Sequence, residues 1–350
     1  MAQETIGLEM QGTAAHWGDR VICTTPYGRL PLFVQPADRG LGEDLDILLG
    51  WIDNHREALE RALLDHGAVV FRGFPISTTD DFARFIDLFP AHQQGYAAGA
   101  ALRKGIKGRI MESTRMAAEA NLPLHQEMSY MRDNPRLVAF FSRIVAETGG
   151  ATTIADMRRV TDELSKDLFE KFKSIGVRYT RNLLSPDVTD QRTDPAFSHN
   201  NWVANFNTDD REAVEQSCRE RELMPEWLPD GSLNMHNDRP GVIAHPATGE
   251  PLYFNQAHAQ IQRHHAYGKE AFARVEEVYG ADLPRAFDST FADGSRITDA
   301  ELDEIYGAID RASVSFPWSP GDIMIVENKL TAHGRQPYTG VRAVEVALID

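Results

Sequence analysis

Hydrophobic residues along this chain repeat with two different periods, and the switches between them outline its elements. Leu45, Leu48, Leu49 and Ile52 follow the i, i+3, i+4, i+7 spacing that gathers apolar side chains on one helix face. A helix is therefore predicted from about Asp44 to Asp65, stopped by Gly67. The run AVVFRGF (Ala68 to Phe74) is short and β-branched and reads as a strand. A second helix is expected after Ser77 and Thr78, with Asp80 and Asp81 forming a capping box and Phe82, Phe85 and Ile86 buried. From Leu137 to Ile154 the pattern is strand, glycine turn, strand; a helix then places Leu164, Leu168, Phe172 and Ile175 on one face, with Gly176 as its cap.

Between about Ser185 and Asp310 short strands such as Leu252 to Asn255 alternate with helices. One of these opens near Thr208 with Asp209, Asp210 and Glu212 in its first turn, another at Thr298 with Glu301 three residues on. The end of the chain is β again: a turn at Ser319 to Asp322, a strand from Ile323 to Glu327, and a strand from Arg342 to Ile349. Strands in the middle and at the end, with helices at the start and in a long insertion, fit an α+β, mainly β architecture. The expectation is a double-stranded β-helix, the jelly-roll or cupin-like core, with flanking helices. A single domain over 1–350 is expected, with 68–184 as the first part of the core, 185–310 as an insertion able to act as a lid, and 311–350 as the final core strands.

Composition narrows the function without choosing it. A net charge of −16 disfavours nucleic-acid and anionic-membrane partners, whose recognition needs cationic patches. Neither an apolar run of membrane-spanning length nor a basic-then-apolar leader is present, so a cytoplasmic location is expected. The two cysteines, Cys23 and Cys218, form no CxxC pattern, which argues against a disulfide scaffold or thiolate zinc site.

The chemistry concentrates in two segments. In LPLHQEMSY (Leu122 to Tyr130) strand alternation turns His125 and Glu127 to one face while Gln126 points away. Far downstream, TAHGRQPYTGVR supplies His333, just after the strand IMIVEN. Two histidines and one carboxylate on one face of a six-coordinate metal leave positions open for cosubstrate and oxygen, the arrangement of non-haem iron(II) oxygenases. Arg342 adds a planar guanidinium able to grip a carboxylate through two parallel hydrogen bonds, as the far end of 2-oxoglutarate would require. Arg335 is the second candidate for that role, against a plain reading as a surface salt bridge.

With these residues in view, the chain resembles the taurine dioxygenase and clavaminate synthase-like superfamily of iron- and 2-oxoglutarate-dependent enzymes, and most resembles its syringomycin-type amino-acid hydroxylases. The resemblance runs from about Ala68 to the C-terminus through HQEMSY (125–130), GGATTIAD (149–156), PLYFNQAH (251–258) and PGDIMIVENKLTAHGRQPYTGVR (320–342). It implies that His125, Glu127 and His333 bind Fe(II), that Arg342 anchors 2-oxoglutarate and that the Thr152 hydroxyl assists it. Relatives that halogenate lack the carboxylate ligand, so the presence of Glu127 favours oxygen insertion. The implied substrate is a small amino-acid-like molecule, free or presented on a carrier protein, oxidised with O2 in specialised metabolism. Asn255 and Gln256 match a segment near the substrate in such folds, and Ser113 and Arg115 precede the first iron motif and could line the pocket.

The same ligands admit rivals. Desaturation, epoxidation or cyclisation would use an unchanged metal centre. A zinc hydrolase could employ two histidines and a glutamate but has no use for Arg342, and no HExxH is present. A jelly-roll binding protein could retain the triad as a relic; oxoglutarate-dependent succinate formation separates that reading from an enzyme.

Overall fold

A computed structural model describes residues 17–93, 104–114, 116–194, 197, 199–261, 268–280 and 282–350. The chain divides into two compact units. The first comprises the chain up to Met128 with Asp133–Arg159 and Arg311–Asp350; the second comprises Ser129–Arg132 with Val160–Asp310.

The first unit is a double-stranded β-helix. Its larger sheet has the order Val21–Thr24, Leu32–Pro36, Ala68–Phe71, Ile323–Glu327, Leu137–Ile144, Ala343–Ile349, Ile110–Glu112, Gly105–Lys107. Its smaller sheet runs Ser313–Ser315, Thr152–Asp156, Thr331–Arg335, Leu122–His125. The central strands of the larger sheet are mostly hydrophobic because both faces are covered. Val69, Phe71, Leu137, Ala139, Phe141, Ile323, Ile325, Ala347 and Ile349 belong to one apolar core with the helices, while the alternate residues Val138, Phe140, Met324, Val326 and Val346 are buried on the opposite face. Phe140 reaches the smaller sheet, its ring lying 4.9 Å from that of His333.

The helices over the outer face begin where their caps dictate. Asp44 accepts hydrogen bonds from the backbone of Asp46 and Ile47 and starts the helix Leu45–Asn54. The expected helix does not continue unbroken to Asp65: it stops at His55, whose ring Nδ1 bonds the Trp51 carbonyl at 2.7 Å, and a separate helix runs Arg56–His66. This break lets Trp51 and Leu59 both reach the core. Gly67 ends the second helix in the left-handed region at φ 71°, where a side chain would also strike Thr331. Thr78 and Asp81 form the expected capping box on Thr79–Ile86, which buries Phe82, Phe85 and Ile86, each worth roughly 1.5–3 kcal/mol of transfer free energy.

The second unit holds a four-stranded antiparallel sheet ordered Met224–Trp227, Leu233–Arg239, Val177–Leu183, Phe287–Phe291. Val177–Leu183, assigned from sequence to the first part of the core, belongs here because both its pairing partners come from the insertion. Leu183, Trp202, Val214, Cys218, Leu233 and Met235 form a core on this sheet. The predicted caps at Gly176 and Thr298 are present, and the helix near Thr208 starts at Arg211 with Asp210 as its cap. Among the described residues no helix is long and apolar enough to cross a membrane.

Candidate metal centre

The smaller sheet of the first unit sets two histidines side by side. Thr331–Arg335 pairs antiparallel with Leu122–His125 so that His333 lies opposite His125, their ring centroids 4.6 Å apart. Gly334 permits this approach, since a Cβ there would sit 2.5 Å from the Leu122 carbonyl oxygen. His125 Nδ1 donates to the Pro123 carbonyl at 2.9 Å, which fixes its tautomer with Nε2 as the unprotonated ring nitrogen, the form that can ligate a metal.

Glu127 arrives by a different route from the strand alternation expected. The strand ends at His125, and Glu127 sits in the following turn, where Met128 adopts φ 55°. For a non-glycine residue that conformation costs of order 1–3 kcal/mol and needs support from its surroundings. Support comes from Asn328, fully buried in the turn after Ile323–Glu327. Its Oδ1 accepts from Glu127 N at 2.7 Å, and its Nδ2 donates to the carbonyls of Glu127 and Pro135, each at 2.9 Å. Gln126 donates to the Lys329 carbonyl at 2.8 Å and pins the same turn. The Glu127 carboxylate is thereby held 3.3 Å from His333 Nε2, with the two residues only 2% and 4% exposed.

One nitrogen or oxygen from each of His125, Glu127 and His333 lies within 4.8 Å of the others. That span is about twice the usual ligand distance of roughly 2.0–2.2 Å, so a single ion among them reaches all three. A divalent metal among these atoms would add a cation beside a deeply buried carboxylate. The donor set therefore fits the iron its sequence implies.

Arg342 lies immediately before Ala343–Ile349, one residue outside the expected strand. Its Nε donates to the Gly150 carbonyl at 2.9 Å and its Nη2 approaches Thr152 Oγ1 at 3.5 Å, both neutral acceptors. Burial, and next the charge of Arg335, pull its pKa down to about 10, so an anion beside it would be strongly favoured. Thr152 Oγ1 also accepts from Trp318 Nε1 at 3.1 Å, leaving the threonine proton directed elsewhere. Arg335 is not at the surface: it is 3% exposed, and its guanidinium donates to the carbonyls of Met116, Ala117 and Ala120 at 3.1, 2.5 and 2.6 Å. It ties down the segment that leads into Leu122–His125. Arg335 and Arg342 both approach the Tyr338 ring, at 5.0 and 5.6 Å.

The remaining candidates are placed as follows. Asn255 and Gln256 are buried in the second unit. The Asn255 amide is committed at both ends, Nδ2 donating to Gly241 O at 2.9 Å and Oδ1 accepting from Ala257 N at 3.1 Å, while Gln256 N donates to Tyr179 OH at 3.0 Å. Ser113 is half-buried in the first unit, its N bonded to the Val344 carbonyl. Arg115 lies outside the described residues. The Asn328 clamp and the hydrogen bond from Trp318 to Thr152 were not anticipated from sequence. The ENK turn beside IMIVEN was the available signal for the first; nothing local marks the indole as a donor to Thr152.

Comparison with known proteins extends these observations. A sequence profile of the family described as taurine catabolism dioxygenase TauD, TfdA family matches residues 27–348. The dapdiamide synthesis protein DdaC of Enterobacter agglomerans is 30% identical over 295 residues, covering 83% of this chain and 84% of that one. A clavaminate synthase-like protein of Arabidopsis thaliana is 26% identical over 303 residues, covering 85% and 86%. Among solved structures, PvcB from Pseudomonas aeruginosa superposes with a TM-score of 0.52 at 15% identity, over 95% of this chain and 92% of that one. A second structure of PvcB is described as an Fe, alpha-ketoglutarate dependent oxygenase from an isonitrile synthetic pathway. AAD-2, solved with Mn(II) and N-oxalylglycine, gives 0.52 at 15% identity over 94% and 96%. At these identities the structural matches establish the fold.

Proposed function

Because this chain belongs to the TauD, TfdA family and is an iron- and 2-oxoglutarate-dependent dioxygenase, we propose that His125, Glu127 and His333 are its iron ligands and that Arg342, with Thr152, holds the far carboxylate of 2-oxoglutarate. The observation that carries this assignment is the convergence of the three donor atoms within 4.8 Å, inside the same jelly roll whose half-buried Arg342 donates, among the described residues, to the neutral acceptors Gly150 O and Thr152 Oγ1. When bound, the iron couples oxidative decarboxylation of the oxoacid to succinate with oxidation of an unactivated carbon. The chain's own residues supply geometry. Asn328 fixes the Glu127 turn, the Pro123 carbonyl orients His125, and Phe140 packs against the His333 ring. Burial of Glu127 and His333 keeps bulk water from one side of the centre.

The reaction we favour is hydroxylation of an amino acid or amino-acid-derived substrate, free or carrier-bound, by a cytoplasmic enzyme of specialised metabolism. Retention of Glu127 supports oxygen insertion over halogenation, and similarity to a protein named for dapdiamide synthesis supports a small specialised product. A screen for succinate release across free amino acids and carrier-bound aminoacyl thioesters tests the substrate class; release with neither set contradicts it. Arg342→Lys tests the oxoacid anchor: loss of the paired hydrogen bonds should raise the KM for 2-oxoglutarate at least about tenfold. An unchanged KM would assign that carboxylate to another residue.

A further inference from the structure

The strand Leu137–Ile144 begins LVAFF, and the first polar side chain in it is Ser142. Ser142 shares the inward face with Val138 and Phe140 and pairs with Val344 across the sheet. The residue is 0% exposed, and its Oγ has no hydrogen-bond partner among the described residues. A buried hydroxyl in that condition is destabilising unless something completes its bonding. Ser142 lines a cavity of about 190 Å³ together with Gly150, Trp318, Arg342, Val344 and the turn at 145–149. Among the described residues that line it, the one acid, Glu147, is exposed and lies against Gly340. The cavity thus joins a desolvated guanidinium to an unsatisfied hydroxyl. Thr152 on the smaller sheet lies beside Arg342, and Ser142 on the larger sheet lines the same cavity as that arginine.

We propose that Ser142 is a further positioning residue for the oxoacid, its Oγ–H donating to the distal carboxylate that Arg342 grips. This rests on the assignment of Arg342 as the oxoglutarate anchor. No bond is made or broken; the hydroxyl sets affinity and selects a dicarboxylate over a monocarboxylate.

The test is anaerobic calorimetric titration of the Mn(II)-loaded protein with 2-oxoglutarate and with 2-oxopentanoate, which keeps the keto acid end and lacks the distal carboxylate. Ser142→Ala should weaken 2-oxoglutarate about tenfold, as loss of a hydrogen bond to a charged group implies, and leave 2-oxopentanoate unchanged. Ser142→Cys, a weaker donor of similar size, should fall between wild type and alanine. Equal weakening of both ligands would mark Ser142 as a packing residue and overturn the proposal. Unchanged 2-oxoglutarate affinity in Ser142→Ala, with Arg342→Ala weakened, overturns the Ser142 role alone and leaves the hydroxyl to an enclosed water. A wild-type protein that does not bind 2-oxoglutarate overturns both assignments together.

Discussion

Two buried histidines, one in each unit, meet opposite fates. In the second unit His199 is enclosed with both ring nitrogens engaged, Nδ1 with Tyr279 OH at 2.9 Å and Nε2 with Asn182 Oδ1 at 2.8 Å; Asn182 in turn donates to Asn234 at 2.8 Å. In the first unit His333 turns Nε2 toward the Glu127 carboxylate, and its Nδ1 has no partner among the described residues. Ser142 Oγ in the same unit is likewise unsatisfied. Polar groups whose hydrogen bonds close on one another rigidify a fold, whereas groups left open toward a carboxylate or cavity are arranged for something the chain itself does not supply. The two histidines show that difference.

The largest effect should come from the open set. His125→Ala, Glu127→Ala or His333→Ala removes a proposed ligand, so oxoglutarate-dependent succinate formation should fall by more than the roughly 100-fold that an outer-shell change can cost. The folded state, followed by circular dichroism, should survive. A variant that keeps near-wild-type turnover would remove that side chain from the centre.

Next come two asparagines that clamp backbone in the same way. Asn328→Ala frees the Glu127 turn, and metal affinity should drop about 10–100-fold because the strained Met128 conformation loses its support. Asn255→Ala frees the loop between Gly241 and Ala257 and should cost about 1–3 kcal/mol of stability with metal affinity unchanged. Metal titrations and denaturant melts on both variants decide the contrast. If Asn255→Ala weakens metal binding as much as Asn328→Ala does, the contrast fails.

The sequence was most legible where periodicity and chemistry coincide. The capping box at Thr78, the turn at Ser319 to Asp322 and the strand Ile323–Glu327 follow from local residue choice alone. His125, Glu127 and His333 were nameable because ligand residue types flank recognisable strands, and the structure brings them together. Less visible were features set by distant partners. Glu127 is aimed by Asn328 and not by strand alternation, Arg335 is buried by loop carbonyls, and Val177–Leu183 joins a sheet whose other strands lie far along the chain. A single sequence carries no record of such pairings, since residue type and spacing are the same whether or not the partner arrives.

The smallest predicted effect tests the closed network directly. Burial, and then the charge of Arg192, lower the pKa of His199 from 6.5 to about 4, and the residue is only 7% exposed. The unfolded chain therefore binds this proton more readily than the folded one, so His199 contributes stability that is fully present above about pH 6.5 and is lost as pH falls toward 4. Between pH 7.5 and 5 the linkage amounts to about 2 kcal/mol. Melts should be run on chelator-treated protein, because protonation of the proposed metal ligands would otherwise add its own pH dependence. His199→Gln, less stable at neutral pH through loss of fitted hydrogen bonds, should show a slope flatter than wild type by that amount. Equal slopes would mean that His199 is protonated in the folded state, and the second unit's network would then be open to water instead of closed on itself.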